Sequence, residues 1–189
     1  MILKSYPRAF TQGLALASFL LCACVALKAS ANGSNPPASD PEVVTELSLE
    51  RYAGTWEEIA HSPNFFQRKC LRSTAEYKVL SSSKVSVHNV CYKRDGSTSD
   101  ISGFATIPDA KVPAKLRVRF NFFARGDYWV THLDPNYEWA VVSGPKKKSI
   151  FLLSRTFPME PQLLATIVAK LKAEGFDVGK LVYDVEIPH

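Results

Sequence analysis

The chain of 189 residues contains few of the residues that usually signal catalysis or metal binding. Its histidines have no spacing typical of a metal site; they are His61, His88, His132 and His189. The run from Gly144 to Ser149 lacks the glycine spacing and the strand–loop–helix context of a phosphate-binding loop. Ser81 and Lys84 match a serine–lysine pattern, but they fall in a predicted hairpin turn, where both residue types are common. We therefore expect no catalytic residues, no metal and no cofactor.

The excess of positive charge is also small. The formal net charge of the whole chain is +5, and it falls to +3 if Lys4 and Arg8 are removed with a leader peptide. Domains that bind nucleic acid usually carry a larger basic excess on one face. We therefore expect no nucleic-acid partner.

Long apolar runs are missing as well, apart from one near the N-terminus. Lys4 and Arg8 precede an apolar stretch from Gly13 to Leu27, which is too short to span a bilayer as a mature helix. This arrangement is typical of a secretory signal.

The end of this stretch offers two cleavage sites. Leu21-Cys22-Ala23-Cys24 fits the bacterial lipobox, which would make residues 1–23 a lipoprotein signal peptide and Cys24 the acylated residue, carrying chains such as palmitate. Val25 follows Cys24 in place of Asp, which implies sorting to the outer membrane. The alternative is cleavage after Ala29-Ser30-Ala31, which would release a soluble secreted or periplasmic protein.

A segment of low complexity follows the leader. From Lys28 to Pro41 the residues are mostly Ala, Ser, Asn, Gly and Pro, which cannot bury enough apolar surface to offset the entropy of ordering. We expect residues 24–46 to form a flexible tether and residues 47–189 to form one domain of ordinary size.

Two cysteines lie outside the leader. Cys70 and Cys91 flank a predicted hairpin whose turn is Ser81-Ser82-Ser83, so both stand at the same end of that hairpin. An even pair in an exported chain favours a disulfide. The alternative is a reactive thiol.

Most of the remaining chain has the two-residue period of β-strands. The clearest case is the segment 114–122, in which apolar and polar residues alternate. The other predicted strands cover residues 54–60, 71–80, 84–93, 98–107, 127–133, 138–143 and 149–155. After Pro158 the period becomes that of an amphipathic helix, with Leu164, Ile167, Val168 and Leu171 on one face, and a short strand follows at 182–187. The pattern predicts an all-β domain with one C-terminal helix.

Several short motifs add a more specific signal. Gly54-Thr55-Trp56 opens the first strand, which continues as Trp-x-Glu-Ile-Ala. The later motifs are Asp-Tyr-Trp-Val at 127–130, Leu-Asp-Pro-Asn-Tyr at 133–137, Leu-Ser-Arg-Thr at 153–156 and Glu-Gly-Phe-Asp-Val at 174–178. In this order they resemble the lipocalins, in particular the bacterial outer-membrane lipoproteins of that family and their apolipoprotein D relatives. The motif at 133–137 departs from the family's Thr-Asp-Tyr-x-x-Tyr, because Leu133 and Pro135 replace its Thr and first Tyr.

The resemblance implies an eight-stranded antiparallel up-and-down β-barrel with the C-terminal helix packed outside it. Gly54, Trp56, Asp134 and Arg155 would build the closed floor, with the Arg155 guanidinium on the Trp56 indole. The function would lie in the cavity above that floor.

Strand register, counted from Trp56 as in the family, gives the residues that would face the cavity. This inward, ligand-binding set is Glu58, Tyr77, Val87, Asn89, Ile101, Val118, Phe120, Phe122, Tyr128, Val130, Val142 and Phe151. The wall is mostly apolar, which suits an acyl chain. Glu58 is an exception, because a buried carboxylate is costly unless it is hydrogen-bonded or protonated. We interpret it as an acid satisfied by tyrosine hydroxyls or backbone, with ligand contact as the alternative.

Basic residues gather in the connections that would surround the open mouth of such a barrel. They are Arg68, Lys69, Lys93, Arg94, Arg125, Lys146, Lys147 and Lys148. A solvated rim is the ordinary interpretation of such charges. The alternative is a rim that attracts fatty-acid carboxylates or anionic lipid head groups.

Together these features predict a protein of the bacterial envelope that binds, stores or transports fatty acids or lysophospholipids and is anchored to the outer membrane through Cys24. The first alternative is a carrier or scavenger of another hydrophobic molecule, such as a pigment or haem. The second is an isomerase acting in the same cavity. The expected partners are a hydrophobic or lipid ligand and a membrane, and a homodimer is left open.

Overall fold

The computed structural model describes residues 39–121 and 124–185. Its helices and strands, in chain order, are α1 (Leu49–Tyr52), β1 (Gly54–His61), β2 (Cys70–Ser81), β3 (Lys84–Lys93), β4 (Thr98–Thr106), β5 (Lys115–Arg119), β6 (Arg125–Leu133), β7 (Trp139–Ser143), β8 (Ile150–Ser154), α2 (Pro161–Ala173) and β9 (Val182–Tyr183). Short 3-10 turns lie at Pro145–Lys147 and Val178–Lys180.

Eight of these strands form a closed antiparallel barrel. Each strand from β1 to β8 pairs with the next, and β8 pairs with β1 to close the ring. The extra strand β9 pairs with β1 at Ala60 and His61. The fold class implied by the sequence is confirmed, including the helix outside the barrel.

Backbone carbonyls and one arginine close the end of the barrel at which β1 begins. The Arg155 guanidinium lies 3.7 Å from the centre of the Trp56 indole. Its nitrogens donate to five backbone carbonyls, those of Arg51, Tyr52, Ala53, Thr55 and Tyr137. Gly54 has a φ of +93°, a left-handed backbone that strongly favours glycine. The chain can therefore turn from α1 into β1 directly above the arginine.

The Asp134 carboxylate shapes the turn between β6 and β7 at the same end. It accepts hydrogen bonds from the backbone N–H groups of Asn136 and Glu138. This turn holds Tyr137 at a φ of +65°, where its hydroxyl accepts from the Ser48 N–H. The turn and α1 are thereby joined across the floor.

Two apolar clusters lie on opposite sides of the barrel wall. One fills the lower interior of the barrel, and the other lies between the wall and α2, which buries Ile167 and Leu171 against it. Glu160 caps the N-terminus of α2, because its carboxylate accepts hydrogen bonds from the N–H groups of Gln162 and Leu163. Within the described ranges, no helix is both long enough and apolar enough to cross a membrane.

Three local features differ from the sequence-based expectation. Strand β5 ends at Arg119 rather than at 122, because the Phe120 N–H turns to donate to the Ala124 carbonyl. Helix α1 was not predicted, although Ser48 is an N-cap whose hydroxyl accepts from the Arg51 N–H. Strand β9 is assigned only at Val182–Tyr183, and the expected continuation beyond residue 185 lies outside the described residues.

The segment just before α1 contacts the barrel, contrary to the expected tether of residues 24–46. The Val44 N–H donates to the Val130 carbonyl, and Val43 packs against the interior cluster. The Asp40 carboxylate accepts from the Lys146 N–H in the connection between β7 and β8. A tether would therefore end near residue 39, because the valines that follow it find apolar contacts. The predicted signal peptide and Cys24 lie outside the described residues.

The predicted disulfide is confirmed. Cys70 and Cys91 are bonded, with 5.3 Å between their Cα atoms. The bond joins the start of β2 to the end of β3, far from the turn at Ser82 and Ser83. It therefore ties two strands together at the open end of the barrel.

Candidate functional site

The barrel interior contains most of the residues expected to face a cavity. Strand β1 runs from the closed end to the open end, and side chains two residues apart on each strand point into the barrel. Eight residues of the expected set belong to the interior cluster: Tyr77, Val87, Val118, Phe120, Tyr128, Val130, Val142 and Phe151. Register places Asn89 and Ile101 opposite each other on the same inner face. Phe122 lies outside the described residues.

The upper interior is open rather than filled. Ile101 faces inward, because it alternates with the interior residue Ala105 on β4, yet 37% of its surface is exposed. Asn89 beside it has a buried Oδ1 atom that accepts no hydrogen bond from the described residues. Inward side chains that keep exposed surface indicate a space above the packed floor.

Phe120 occupies a position that only a glycine neighbour allows. A Cβ atom on Gly103 would lie 2.8 Å from the Phe120 Cα and 2.9 Å from its ring. Gly103 lies between Ile101 and Ala105 on the inner face of β4. Phe120 therefore packs directly against the backbone of β4 and narrows the interior on that side.

Three tyrosines form a polar group in the lower interior. The Tyr128 hydroxyl is 2.7 Å from the Tyr52 hydroxyl and 2.9 Å from the Tyr77 hydroxyl. Burial raises the pKa of all three phenols, so they stay neutral at physiological pH. Two hydrogen bonds among three hydroxyls use two protons, so one of the three hydroxyls keeps an O–H to donate elsewhere.

Glu58 lies further along β1, toward the open end, and its partner differs from the expected one. Its Oε1 accepts a 2.5 Å hydrogen bond from Gln67 Nε2, whereas tyrosine hydroxyls or backbone were expected. The same Gln67 nitrogen also contacts the Ser73 hydroxyl at 3.3 Å. Burial raises the pKa of Glu58 well above its usual value. The connection between β1 and β2 thus reaches into the barrel through Gln67, which donates to the buried acid.

A β-bulge brings a histidine into the same group. The register of β1 against β8 shifts between Glu58 and Ala60, so His61 lies opposite the interior residue Phe151. The His61 Nε2 atom is 3.9 Å from Glu58 Oε1, and burial lowers the pKa of this imidazole. Strict alternation from Trp56 would have pointed His61 outward.

Asp184 completes this polar cluster from the C-terminal segment. Its carboxylate accepts from the Ser73 N–H, and the neighbouring backbone bonds to Ile59 and Leu71 on the two strands beside it. Burial raises the pKa of Asp184 to about 7. The segment therefore fills the seam where β1 and β2 diverge.

Glu58, His61 and Asp184 could hold a cation on distance alone, since one donor atom from each lies within 4.8 Å of the others. A divalent cation requires deprotonated carboxylates. The raised pKa values of both acids oppose that state, and the Gln67 and Ser73 donors already occupy oxygens of the two carboxyl groups. We therefore interpret the cluster as a buried polar group whose two acids are held by Gln67 and Ser73.

Stability is expected to fall as the pH rises from about 4 to about 7, because burial raises the pKa of Asp184 from 3.8 to about 7. In that range the folded protein keeps a proton that the unfolded chain has released. Glu58 acts in the same direction, and His61 acts in the opposite direction below about pH 6.5. Arg72 lowers the pKa of Asp184, and Glu57 raises it.

Asp184→Asn should therefore flatten the pH profile of the free energy of unfolding by about 1 kcal/mol, after allowance for its partial exposure. Urea titrations at several pH values measure this. The matched control is Asp177→Asn, which changes an exposed aspartate paired with Lys180. A profile for Asp184→Asn as steep as that of the control would refute the assignment.

The mouth of the barrel carries most, but not all, of the expected basic rim. Arg68, Lys69 and Arg94 are exposed in connections at the open end, and Arg125 is exposed where β6 begins at that end. Lys93, the last residue of β3, is half-buried. Lys146 and Lys148 are exposed in the connection between β7 and β8. The Lys147 ammonium departs from the expectation, because it donates to the Glu174 carbonyl at the end of α2.

A lipocalin-like domain model matches residues 47–186, which is most of the chain. The chain belongs to the lipocalin family. It is 34% identical over 172 residues to the outer membrane lipoprotein Blc of Vibrio cholerae, covering 90% of this chain and 95% of that relative. It is 36% identical over 149 residues to temperature-induced lipocalin-1 of Arabidopsis thaliana, covering 74% of this chain and 80% of the relative.

Among solved structures, insecticyanin of Manduca sexta matches with a TM-score of 0.63 and 25% identity, over 79% of this chain and 86% of insecticyanin. Lipocalins bind small hydrophobic ligands, and the open upper interior of this barrel agrees with that general role.

Several polar residues of this lipocalin's interior were missed by the sequence analysis. Tyr52, His61, Gln67 and Asp184 lie on α1, beyond a bulge, in a connection and in the C-terminal segment, where strand alternation gives no information. The cap at Ser48 was the one available signal, because it marks the helix that carries Tyr52.

Proposed function

We propose that this lipocalin carries long-chain lipids, fatty acids or lysophospholipids, with the acyl chain in the barrel and the polar head at the mouth. The observation that carries the proposal is the inner wall at Ile101, which faces the interior and remains exposed. A carrier of this kind binds its ligand by burial and performs no chemical step.

The electrostatics of the interior support this orientation. The inward positions of β3 and β4 below the mouth carry no charge; they are Val85, Val87, Asn89, Ile101, Gly103 and Ala105. Burial raises the pKa values of Glu58 and of the three tyrosines, which favours their uncharged forms. An anionic head group would gain no counter-charge deep in the barrel, whereas Arg68, Arg94 and Arg125 at the mouth provide one.

Filling the upper interior should therefore weaken the binding of an acyl ligand without unfolding the barrel. Ile101→Trp adds bulk at an inward position that has open space, so we expect the affinity for a fluorescent fatty-acid analogue to fall by at least about tenfold. The matched control is Phe104→Trp, three residues along β4 on the outer face, where 47% of the side chain is exposed. Equilibrium titration measures both affinities, and thermal unfolding verifies that both variants fold.

Three results would contradict the proposal. Equal affinities of the two tryptophan variants would place the ligand elsewhere. Mass spectrometry of an organic extract of the purified protein should find acyl lipids, and their absence would argue against lipid carriage. A coloured protein would favour a pigment or haem ligand instead.

The cellular place of the protein is part of the same proposal. The relatives named outer membrane lipoprotein match this chain over most of its length, and the lipobox at Leu21–Cys24 fits such a protein. Acylation of Cys24 would hold the barrel at the membrane from which its ligands come. The family relationship is one to binding proteins, which agrees with a carrier rather than an enzyme.

A further inference from the structure

The connection between β1 and β2 exposes two adjacent phenylalanines at the open end. Phe65 is 70% exposed and Phe66 is 78% exposed, the largest exposures of any bulky apolar residue in the described ranges. Their rings meet edge to face at 5.9 Å, so they form one patch. Single exposed apolar residues are ordinary, but a paired aromatic patch beside a binding cavity requires an explanation.

The loop is built to present this patch. Asn64 and Gln67 bond to each other on either side of the two phenylalanines, and Gln67 is drawn inward to Glu58. Cys70 ends the loop in the disulfide to β3. Because the residues that flank the patch are fixed inward, the two rings are held outward.

Positive charge surrounds the patch. The Arg68 guanidinium lies 4.0 Å from the centre of the Phe65 ring, and Lys69 follows it. Arg94, in the connection between β3 and β4, and Arg125, at the start of β6, are exposed at the mouth. The loop from 62 to 69 contains no acidic residue. Exposed aromatic rings with basic side chains around them are suited to the interface of an anionic bilayer, where the rings can contact acyl chains and the basic groups can contact head groups.

The N-terminal segment approaches the barrel on the same side. Asp40 is bonded to Lys146 in the connection between β7 and β8, which is one of the four connections at the open end. The 15 residues between Cys24 and Asp40 could extend about 50 Å. A chain anchored at Cys24 therefore has the reach to bring the mouth against the membrane surface.

We propose that the open mouth of this lipocalin docks on an anionic phospholipid bilayer, with Phe65 and Phe66 inserted at the interface and Arg68, Lys69, Arg94 and Arg125 over the head groups. Lipid then passes between bilayer and barrel without crossing water, a step that rests on the proposed carrier function. The docking itself requires only the patch and its charges.

Vesicle co-sedimentation tests this directly. The mature chain from residue 24 onward carries Cys24→Ala throughout, so that neither the leader nor an acyl anchor contributes, and the vesicles contain phosphatidylglycerol in phosphatidylcholine. Phe65→Ser with Phe66→Ser should reduce the bound fraction at least about tenfold, because both apolar anchors are lost. Phe104→Ser is the matched control, since it removes an exposed phenylalanine beside Lys84 on the outer wall. It should bind as the parent does.

Salt and lipid composition provide the second test. Binding of the parent should weaken as ionic strength rises and should nearly vanish on phosphatidylcholine alone. Equal loss in the Phe104→Ser control, or unchanged binding of the Phe65/Phe66 variant, would overturn the proposal. Failure of the parent to bind anionic vesicles would overturn it too, and would favour a protein partner for the patch.

The carrier function and the membrane docking can be refuted separately. The Phe65/Phe66 variant should bind a fatty-acid analogue in solution with unchanged affinity, because its barrel is intact. Loss of that affinity together with unchanged vesicle binding would make the patch part of the ligand site and overturn docking. A parent that binds vesicles but carries no lipid ligand would refute the carrier function and leave docking intact.

Discussion

Arg155→Ala is expected to lower the free energy of unfolding by about 3 kcal/mol, one of the two largest changes that we foresee in this protein. The guanidinium donates to five backbone carbonyls and lies over the face of the Trp56 indole. Its removal takes a donor from each of those carbonyls, of which that of Tyr52 keeps the Trp56 indole N–H, and it opens the floor beneath the buried indole. Urea unfolding followed by far-ultraviolet circular dichroism measures the loss.

Two further variants separate the effect of the Arg155 hydrogen bonds from the effect of its positive charge. Arg155→Lys keeps a cation near the indole but offers one compact donor group, so it should recover only part of the stability. Arg117→Ala removes an arginine whose side chain is 72% exposed on the outer wall, and it should change stability by less than about 0.5 kcal/mol. If Arg155→Ala resembled Arg117→Ala, the floor would be held by apolar packing alone.

Loss of the disulfide is the second large effect. Cys70→Ser with Cys91→Ser frees a loop of 21 residues in sequence separation, and the chain-entropy model gives about 3 kcal/mol for a loop of this size. Equilibrium unfolding in urea should show a lower midpoint for the double variant. The unmodified protein in reductant provides the matched control, because it loses the same covalent link without a substitution.

The location of the bond gives this experiment a second readout. The disulfide joins β2 and β3 at the mouth, whereas the floor lies at the other end of both strands. Hydrogen exchange in the native state should therefore rise first near Cys70 and Cys91 and stay slow around Trp56. Superimposable unfolding curves for oxidised and reduced protein would contradict the expected contribution.

The strands could be predicted from the sequence because their signals are local, whereas the closed barrel and its floor followed from the resemblance of the motifs to the lipocalins. Alternation in segment 114–122 marks a strand, and the Gly54-x-Trp56 motif with Arg155 marks two ends that meet at the floor. The disulfide followed from the position of two cysteines on either side of one hairpin. Each of these inferences depends on one strand or on neighbouring strands.

The polar part of the interior could not be predicted in the same way. A bulge in β1 changes which residues face inward, so His61 enters the barrel and Ala60 packs under α2. Gln67 and Asp184 reach Glu58 and Ser73 from irregular segments. Such contacts depend on how irregular segments pack against the barrel, and no periodic pattern in the sequence indicates that packing.

The same limit explains the mistakes at the mouth. Lys147 was grouped with its neighbours by sequence, but its positive φ turns it toward the last carbonyls of α2. Strand β5 was extended to Phe122 by alternation, although the chain already turns at Phe120. Turn geometry decided both cases.

The floor has one property that matters for the variety of ligands that such a barrel could accept. The Arg155 guanidinium donates to carbonyl groups, which every residue possesses, so these hydrogen bonds do not depend on the side chains of Ala53 or Thr55. Substitutions in the wall at Ile101 or Val87 likewise leave its hydrogen bonds in place. The closed floor and the ligand preference of the wall can therefore change independently. A library of wall variants built on this chain should keep the same fold while individual variants bind different hydrophobic molecules.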